Sequence, residues 1–116
     1  MKLPTEGKLL RIFVGEADRW EGKPLYQAIV EAARQRGLAG ATAWKGFMGF
    51  GANSRVHTAK VLRLSEDLPV VIEIVDAPEK IEEFLPTLDG MVQEGLVTLE
   101  RAEVIHYRHR TKTGGS

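Results

Sequence analysis

Apolar residues recur along this chain in two rhythms. The first is a short run, Leu9, Leu10, Ile12, Phe13 and Val14, broken only by Arg11 and closed by Gly15. It is too brief for a helix and apolar on both alternating faces, which predicts a central strand. The second rhythm begins after Pro24, where Leu25, Ile29 and Ala32 return at helical spacing. Pro24 suits a first-turn position, Arg34 and Arg36 lie near the negative end of the dipole, and Gly37 can take the left-handed conformation that ends the helix, with Leu38 folding back over the last turn. Residues 42–45 read as a second strand, and residues 46–55 as a glycine-rich loop. Residues 56–64 have a mixed pattern that fits an extended hairpin arm, and residues 65–69 a turn. Residues 70–75 are β-branched apart from Glu73 and predict a third strand. Asp76 and Glu79 have capping-box spacing ahead of Ile81, Phe84, Leu85, Leu88, Met91 and Val92, a helical apolar face that persists across Pro86, where a kink is expected. Residues 96–107 predict a last strand region, with a bulge near Arg101 and Ala102.

The order strand, helix, strand, loop, strand, helix, strand, joined by right-handed crossovers, predicts an α+β fold: a ferredoxin-like βαββαβ sandwich, with an antiparallel sheet carrying two helices on one face. Residues 8–108 form this domain, residues 1–7 an N-terminal extension, and residues 109–116 a polar, Gly-rich tail expected to be frayed and flexible. Alternation places Leu10, Ile12, Val14, Val70, Ile72 and Ile74 under the helices and leaves Leu9, Phe13, Val71 and Val75 on the opposite face. That second face needs a cover, which three sheets packed about an axis would supply, so a homotrimer is expected. Arg11 and Glu73 fall on the same second face in neighbouring strands and should be buried and compensate one another, within or between subunits.

Composition narrows the function. The 116 residues hold 16 Lys plus Arg against 16 Asp plus Glu, so no global positive field draws the chain to nucleic acid or to an anionic membrane. Cysteine is absent, which removes disulfides, thiolate metal sites and a cysteine nucleophile. Neither a signal peptide nor a membrane span can be drawn, and a cytoplasmic location is expected.

The most unusual stretch is Gly46-Phe47-Met48-Gly49-Phe50-Gly51. Gly46, Gly49 and Gly51 leave the backbone bare, so that amides can approach an anionic oxygen. No Gly-Lys-Ser/Thr follows and the spacing is not the dinucleotide fingerprint, so neither motif applies. A hairpin tip whose glycines supply only turn geometry is the alternative. Phe47, Met48 and Phe50 must pack on something, and a subunit interface or the face of a base would serve. Arg55 and His57 could set a cation and an imidazole against a phosphate, or be ordinary surface residues. His106 and His109 lack a third ligand, and Glu16, Asp18 and Glu21 read as a solvated acidic turn rather than an acid/base pair.

The glycine-rich loop followed by His57, the segment Leu64-Ser65-Glu66-Asp67-Leu68-Pro69-Val70-Val71-Ile72-Glu73-Ile74-Val75-Asp76, and Gly15-Glu16 with Gly22-Lys23-Pro24-Leu25 resemble the small PII-like proteins called domain of unknown function 190. The likeness spans residue 9 to about residue 104. It implies a PII-like trimer with adenine nucleotides in intersubunit clefts and no required cofactor. It also implies a signalling role in which a mobile loop modulates a target protein, a membrane transporter being one candidate. PII proteins proper cradle phosphates with a basic glycine loop before the last strand. Here Gly90-Met91-Val92-Gln93-Glu94-Gly95-Leu96 is acidic and apolar, so AMP or ADP is expected in preference to ATP. The expected nucleotide-binding residues are Gly46, Gly49, Phe50, Gly51, Arg55, His57 and Arg108. Two alternatives are a small ferredoxin-like enzyme and a CutA-like metal-tolerance trimer. The missing nucleophile–base pair argues against the first, and the lack of Cys and of clustered His against the second.

Overall fold

The computed structural model describes residues 6–50, 68–108 and 110. Its elements are β1 (Glu6–Gly15), β2 (Arg19–Trp20), β3 (Lys23–Pro24), α1 (Leu25–Gln35), β4 (Thr42–Lys45), β5 (Pro69–Asp76), α2 (Pro78–Met91) and β6 (Leu96–Glu103). The main sheet has the order β4-β5-β1-β6, and every neighbouring pair is antiparallel. This is the predicted ferredoxin-like arrangement: β1 and β5, the two most apolar strands, lie in the centre.

One face of these strands makes the core. Leu10, Ile12, Val14, Val70, Ile72 and Ile74 meet Leu25, Ala28, Ile29 and Ala33 of α1 and Ile81, Phe84, Leu88 and Met91 of α2. Each helix contributes only the stripe that its 3.6-residue period turns toward the sheet, so α1 and α2 both end as half-buried, half-polar cylinders. α1 stops as its sequence dictates. Gly37 has φ +78°, its N–H donates to the Arg34 carbonyl at 3.1 Å, and the Leu38 N–H donates to the Ala33 carbonyl at 3.1 Å, the bond pattern of a Schellman cap.

Several local expectations are corrected. The last strand ends at Glu103 and contains no bulge: it pairs with β1 in unbroken register from Phe13↔Leu96 to Glu6↔Glu103, with Arg101 opposite Lys8 and Ala102 opposite Gly7. Pro24 sits at the N-cap of α1 rather than inside its first turn. Asp76 does not cap α2, whose N-cap is Ala77 followed by Pro78. It is instead the last, fully buried residue of β5. Its Oδ1 accepts from the Ala77 N–H at 2.7 Å and its Oδ2 from the Ala39 N–H at 2.8 Å, so the carboxylate ties the α1–β4 connection to the end of the sheet. The helix α2 continues through Pro86 to Met91. The expected hairpin arm at residues 56–64 lies outside the described residues, as does all of the expected frayed tail except Arg110.

An element with no forecast lies between β1 and α1. Strands β2 and β3 pair Arg19 with Pro24 and Trp20 with Lys23, around Glu21 and Gly22 with φ +48° and +86°, the positive pair that a two-residue hairpin of right-handed twist needs. Asp18 organises the approach: its Oδ2 accepts from the Gly15 N–H at 2.9 Å, and its carbonyl accepts from the Leu25 N–H at 2.8 Å.

Candidate functional site

The strand ends form two opposed rims of the sheet. At one rim Gly15 pairs with Pro69 and Lys45 with Val70, and here the glycine-rich segment leaves β4. Its neck is tightly built. The Gly46 N–H donates to the Pro69 carbonyl at 2.7 Å, and the Glu16 N–H to the Leu68 carbonyl at 2.8 Å. A Cβ on Gly46 would lie 2.9 Å from Pro69 Cγ, and one on Gly49 3.1 Å from the same atom. Both glycines are therefore bare so that the chain can close on the Pro69 ring, and the Gly46 amide is occupied within the chain. Beyond this neck Phe47, Met48 and Phe50 are exposed by 81%, 58% and 73%, a degree of apolar display that a folded surface rarely carries without a partner.

Beside the neck lies a small cavity of about 140 Å³ lined by Glu16, Tyr26, Ala43, Trp44, Lys45 and Val70. Lys45 Nζ and Glu16 Oε2 stand 3.0 Å apart at its edge. Thus Glu16 is held in an ion pair and Asp18 in backbone hydrogen bonds that organise the turn between β1 and β2.

The other expected site residues divide sharply. Gly51, Arg55 and His57 lie outside the described residues. Arg108 is exposed and its Nη2 contacts the His106 ring, 2.9 Å from Nδ1 and 3.2 Å from Nε2. The neighbouring Tyr107 hydroxyl donates to the Ala39 carbonyl at 2.9 Å, which puts this segment at the rim marked by Asp76. The eight residues of β5 separate the two rims by about 23 Å at strand spacing. Arg108 and the Gly46–Pro69 neck of one chain therefore stand at opposite rims of the sheet.

The face of the sheet away from the helices completes the picture. Register sets Trp44, Val71, Phe13 and Leu96 in one row across all four strands. Trp44 is 49% and Leu96 55% exposed. The adjacent row is polar: Thr42, Glu73, Arg11 and Thr98. Arg11 Nε donates to Glu73 Oε2 at 2.8 Å, and Arg11 Nη1 lies 3.4 Å from Glu100 Oε2. The hydrogen bond to Glu73 raises the Arg11 pKa, with both acids adding their charge. The pair foreseen from alternation is formed, half-buried in the single chain.

With this geometry in view, the comparisons with known proteins are decisive on kinship. The model of the DUF190 family, described as Uncharacterized ACR, matches residues 7–104. The chain belongs to the DUF190 family. Among its relatives, a UPF0166 protein of Aquifex aeolicus (strain VF5) is 46% identical over 99 residues, covering 85% of this chain and 93% of the relative. A UPF0166 protein of Methanocaldococcus jannaschii is 36% identical over 100 residues, covering 85% and 92%. Among solved structures, one from Thermus thermophilus that goes by the name of PII-like signalling protein is similar at a TM-score of 0.60 and 18% identity, over 90% of this chain and 94% of that one. CPII from Thiomonas intermedia K12, bound to ADP and bicarbonate, is similar at 0.55 and 18% identity, over 85% and 88%. The same protein has also been solved with ADP, AMP and acetate, and that structure is similar at 0.53 and 16% identity, over 91% and 94%. This DUF190 chain therefore has the PII-like form of the ferredoxin-like fold. Among the described residues no group of His, Asp and Glu is placed to hold a metal ion, and no helix is long and apolar enough to cross a membrane.

Proposed function

We propose that this DUF190 protein is a PII-like regulator that binds an adenine nucleotide, AMP or ADP in preference to ATP, in clefts between three copies of the chain. It modulates a partner protein, a membrane transporter among the candidates, through the segment that starts at Gly46, and it does so in the cytoplasm without turning the nucleotide over. The observation that carries the reading is the neck at Pro69: a tightly packed collar from which Phe47, Met48 and Phe50 project largely exposed. The ADP and AMP bound to the structurally similar CPII support an adenine nucleotide as the ligand. In this reading the exposed aromatics meet the base or a neighbouring subunit, while Gly49, Gly51, Arg55 and His57 meet the phosphates. The Gly46 amide, already bonded to Pro69, shapes the collar and does not touch ligand. Arg108 enters from another subunit, since its own rim is the far one. The assembly covers the row Trp44, Val71, Phe13 and Leu96, whose outer members Trp44 and Leu96 a lone subunit leaves half in water. Charge sets the preference among nucleotides: each further phosphate adds negative charge to a site with few cations.

Calorimetry with AMP, ADP and ATP tests this. Wild type should bind AMP or ADP more tightly than ATP, and Gly49→Val, which forces a branched side chain against Pro69, should weaken binding at least tenfold. Absence of heat with every nucleotide, or an unchanged affinity in the variant, removes the segment as the site. Steady phosphate release from ATP overturns the non-enzymatic reading.

A further inference from the structure

The helix-covered side of the sheet is not wholly covered. Among the described residues strand β6 is an edge strand, and its inward residues Val97 and Leu99, opposite Ile12 and Leu10 in register, remain 40% and 42% exposed. Between α2 and β6 runs a groove of about 600 Å³ whose lining includes Leu85, Pro86, Val92 and Val97, with Glu82 and Asp89 along its α2 wall. Both acids are exposed, and among the described residues neither enters an ion pair. Pro86 cannot donate to the Glu82 carbonyl, so a backbone acceptor is also left open on this side of the helix.

The chain carries a segment of matching chemistry. Residues 104–116 contain Arg108, Arg110 and Lys112 and no acidic residue. At its start Ile105 is 77% exposed, a large apolar side chain standing in solvent beside those cations. It does not reach the groove of its own chain. Val97 and Glu103, the last residue of β6, are six positions apart, about 20 Å at strand spacing, and Ile105 lies beyond that end. The bond from Tyr107 to Ala39 also carries residues 104–107 under the ends of β1 and β5, away from the outer side of β6.

We propose that the groove between α2 and β6 receives the segment around Ile105 from a second copy of this chain, with Ile105 seated on Leu85, Pro86 and Val97, and Arg110 set against Glu82 and Asp89. A tail-to-groove contact joins two different patches, so it repeats from copy to copy and closes into a ring when the rotation permits. The groove lies toward the rim from which the glycine-rich segment leaves, so docking there brings a second copy's Arg108 to the end of the sheet where its own chain does not place it. The contact requires no nucleotide and stands or falls apart from the proposed ligand.

The absence of cysteine makes a direct test clean. The full chain carrying Val97→Cys and Ile105→Cys is oxidised and run without reductant, beside a control carrying Glu83→Cys and Ile105→Cys, whose first thiol lies on α2 outside the groove. The expected result is a ladder of chains linked one to another in the test protein only. It should be slowed several-fold when Glu82→Lys and Asp89→Lys are added, both surface changes that spare the core. A bridge within one chain overturns the assignment to a second copy. Linking no greater than in the control, or linking indifferent to the two charge reversals, overturns the groove as the docking site.

Discussion

The two faces of the sheet are built from the same strands and meet opposite conditions. Under the helices, Leu10, Ile12, Ile72 and Ile74 are at most 1% exposed, and the charged side chain buried with them, Asp76, stands at the end of β5 with both carboxylate oxygens accepting backbone hydrogen bonds. On the open face the same strands present Trp44, Val71, Phe13 and Leu96 beside Arg11, Glu73 and Glu100. A face closed by the chain itself can be apolar along its centre because its cover is always present. In the proposed trimer a second copy closes the open face, which must first survive in water, and a row of paired charges beside an apolar row would meet both needs while fixing the register of what docks.

The largest effect is expected on the closed face. Phe84 is 1% exposed at the centre of α2, and Phe84→Ala should destabilise the fold by about 3–5 kcal/mol through lost burial and the cavity left behind, measured by urea unfolding. A loss below about 1 kcal/mol would mean that the core is not packed as described. The matching change on the open face, Phe13→Asp, should leave a folded subunit but drop the mass seen by light scattering from that of a trimer to that of a monomer. Unchanged mass would show that the row containing Phe13 is not the buried surface.

These two substitutions also mark how far the sequence was legible. Strict alternation in residues 9–14 and 70–75 was enough to sort both faces and to pair Arg11 with Glu73, because a strand's period of two leaves no third choice. The β2–β3 hairpin leaves no mark in the sequence because each strand has two residues and its turn uses Glu21, not the Asn or Asp that signals such turns. The capping-box spacing of Asp76 and Glu79 misled for a related reason. The motif is local, whereas Asp76 is recruited by the Ala39 amide 37 positions away.

A smaller effect concerns the ion pair itself. Arg11 and Glu73 keep 29% and 32% of their side chains exposed in the single chain, so solvent already screens them and each single change to Ala should cost less than the core substitution. The double variant should be milder than the sum of the singles, because removing one partner strands the other. Strict additivity in the cycle would deny the coupling, whereas a coupling that grows with protein concentration would show that assembly buries the pair.

The smallest effect is electrostatic and lies away from both faces. The Lys23 ammonium, 2.7 Å from Glu31 Oε1, lowers the Glu31 pKa, with a further hydrogen bond from Gln27 at 2.9 Å. A carboxylate whose folded pKa is depressed stabilises the fold above its unfolded value, here near 4.5, and loses that contribution as pH falls through the folded value. Lys23→Ala should therefore reduce stability slightly at pH 7 and make no difference at pH 2. Equal destabilisation at both values would assign the loss to packing of the lysine stem instead.

The sequence by itself determined the order of elements, the sorting of each strand into two faces, the Schellman end of α1 and the kinship with DUF190. All of these depend on periodicity or on residues adjacent in the chain. Only the tertiary structure decided why Gly46 and Gly49 are glycines, since the ring they accommodate belongs to Pro69, some twenty positions on. It alone placed Arg108 at the rim opposite the glycine-rich neck. A residue's type limits what it can bind, but distances between residues far apart in sequence arise only when the strands have chosen their neighbours and their register.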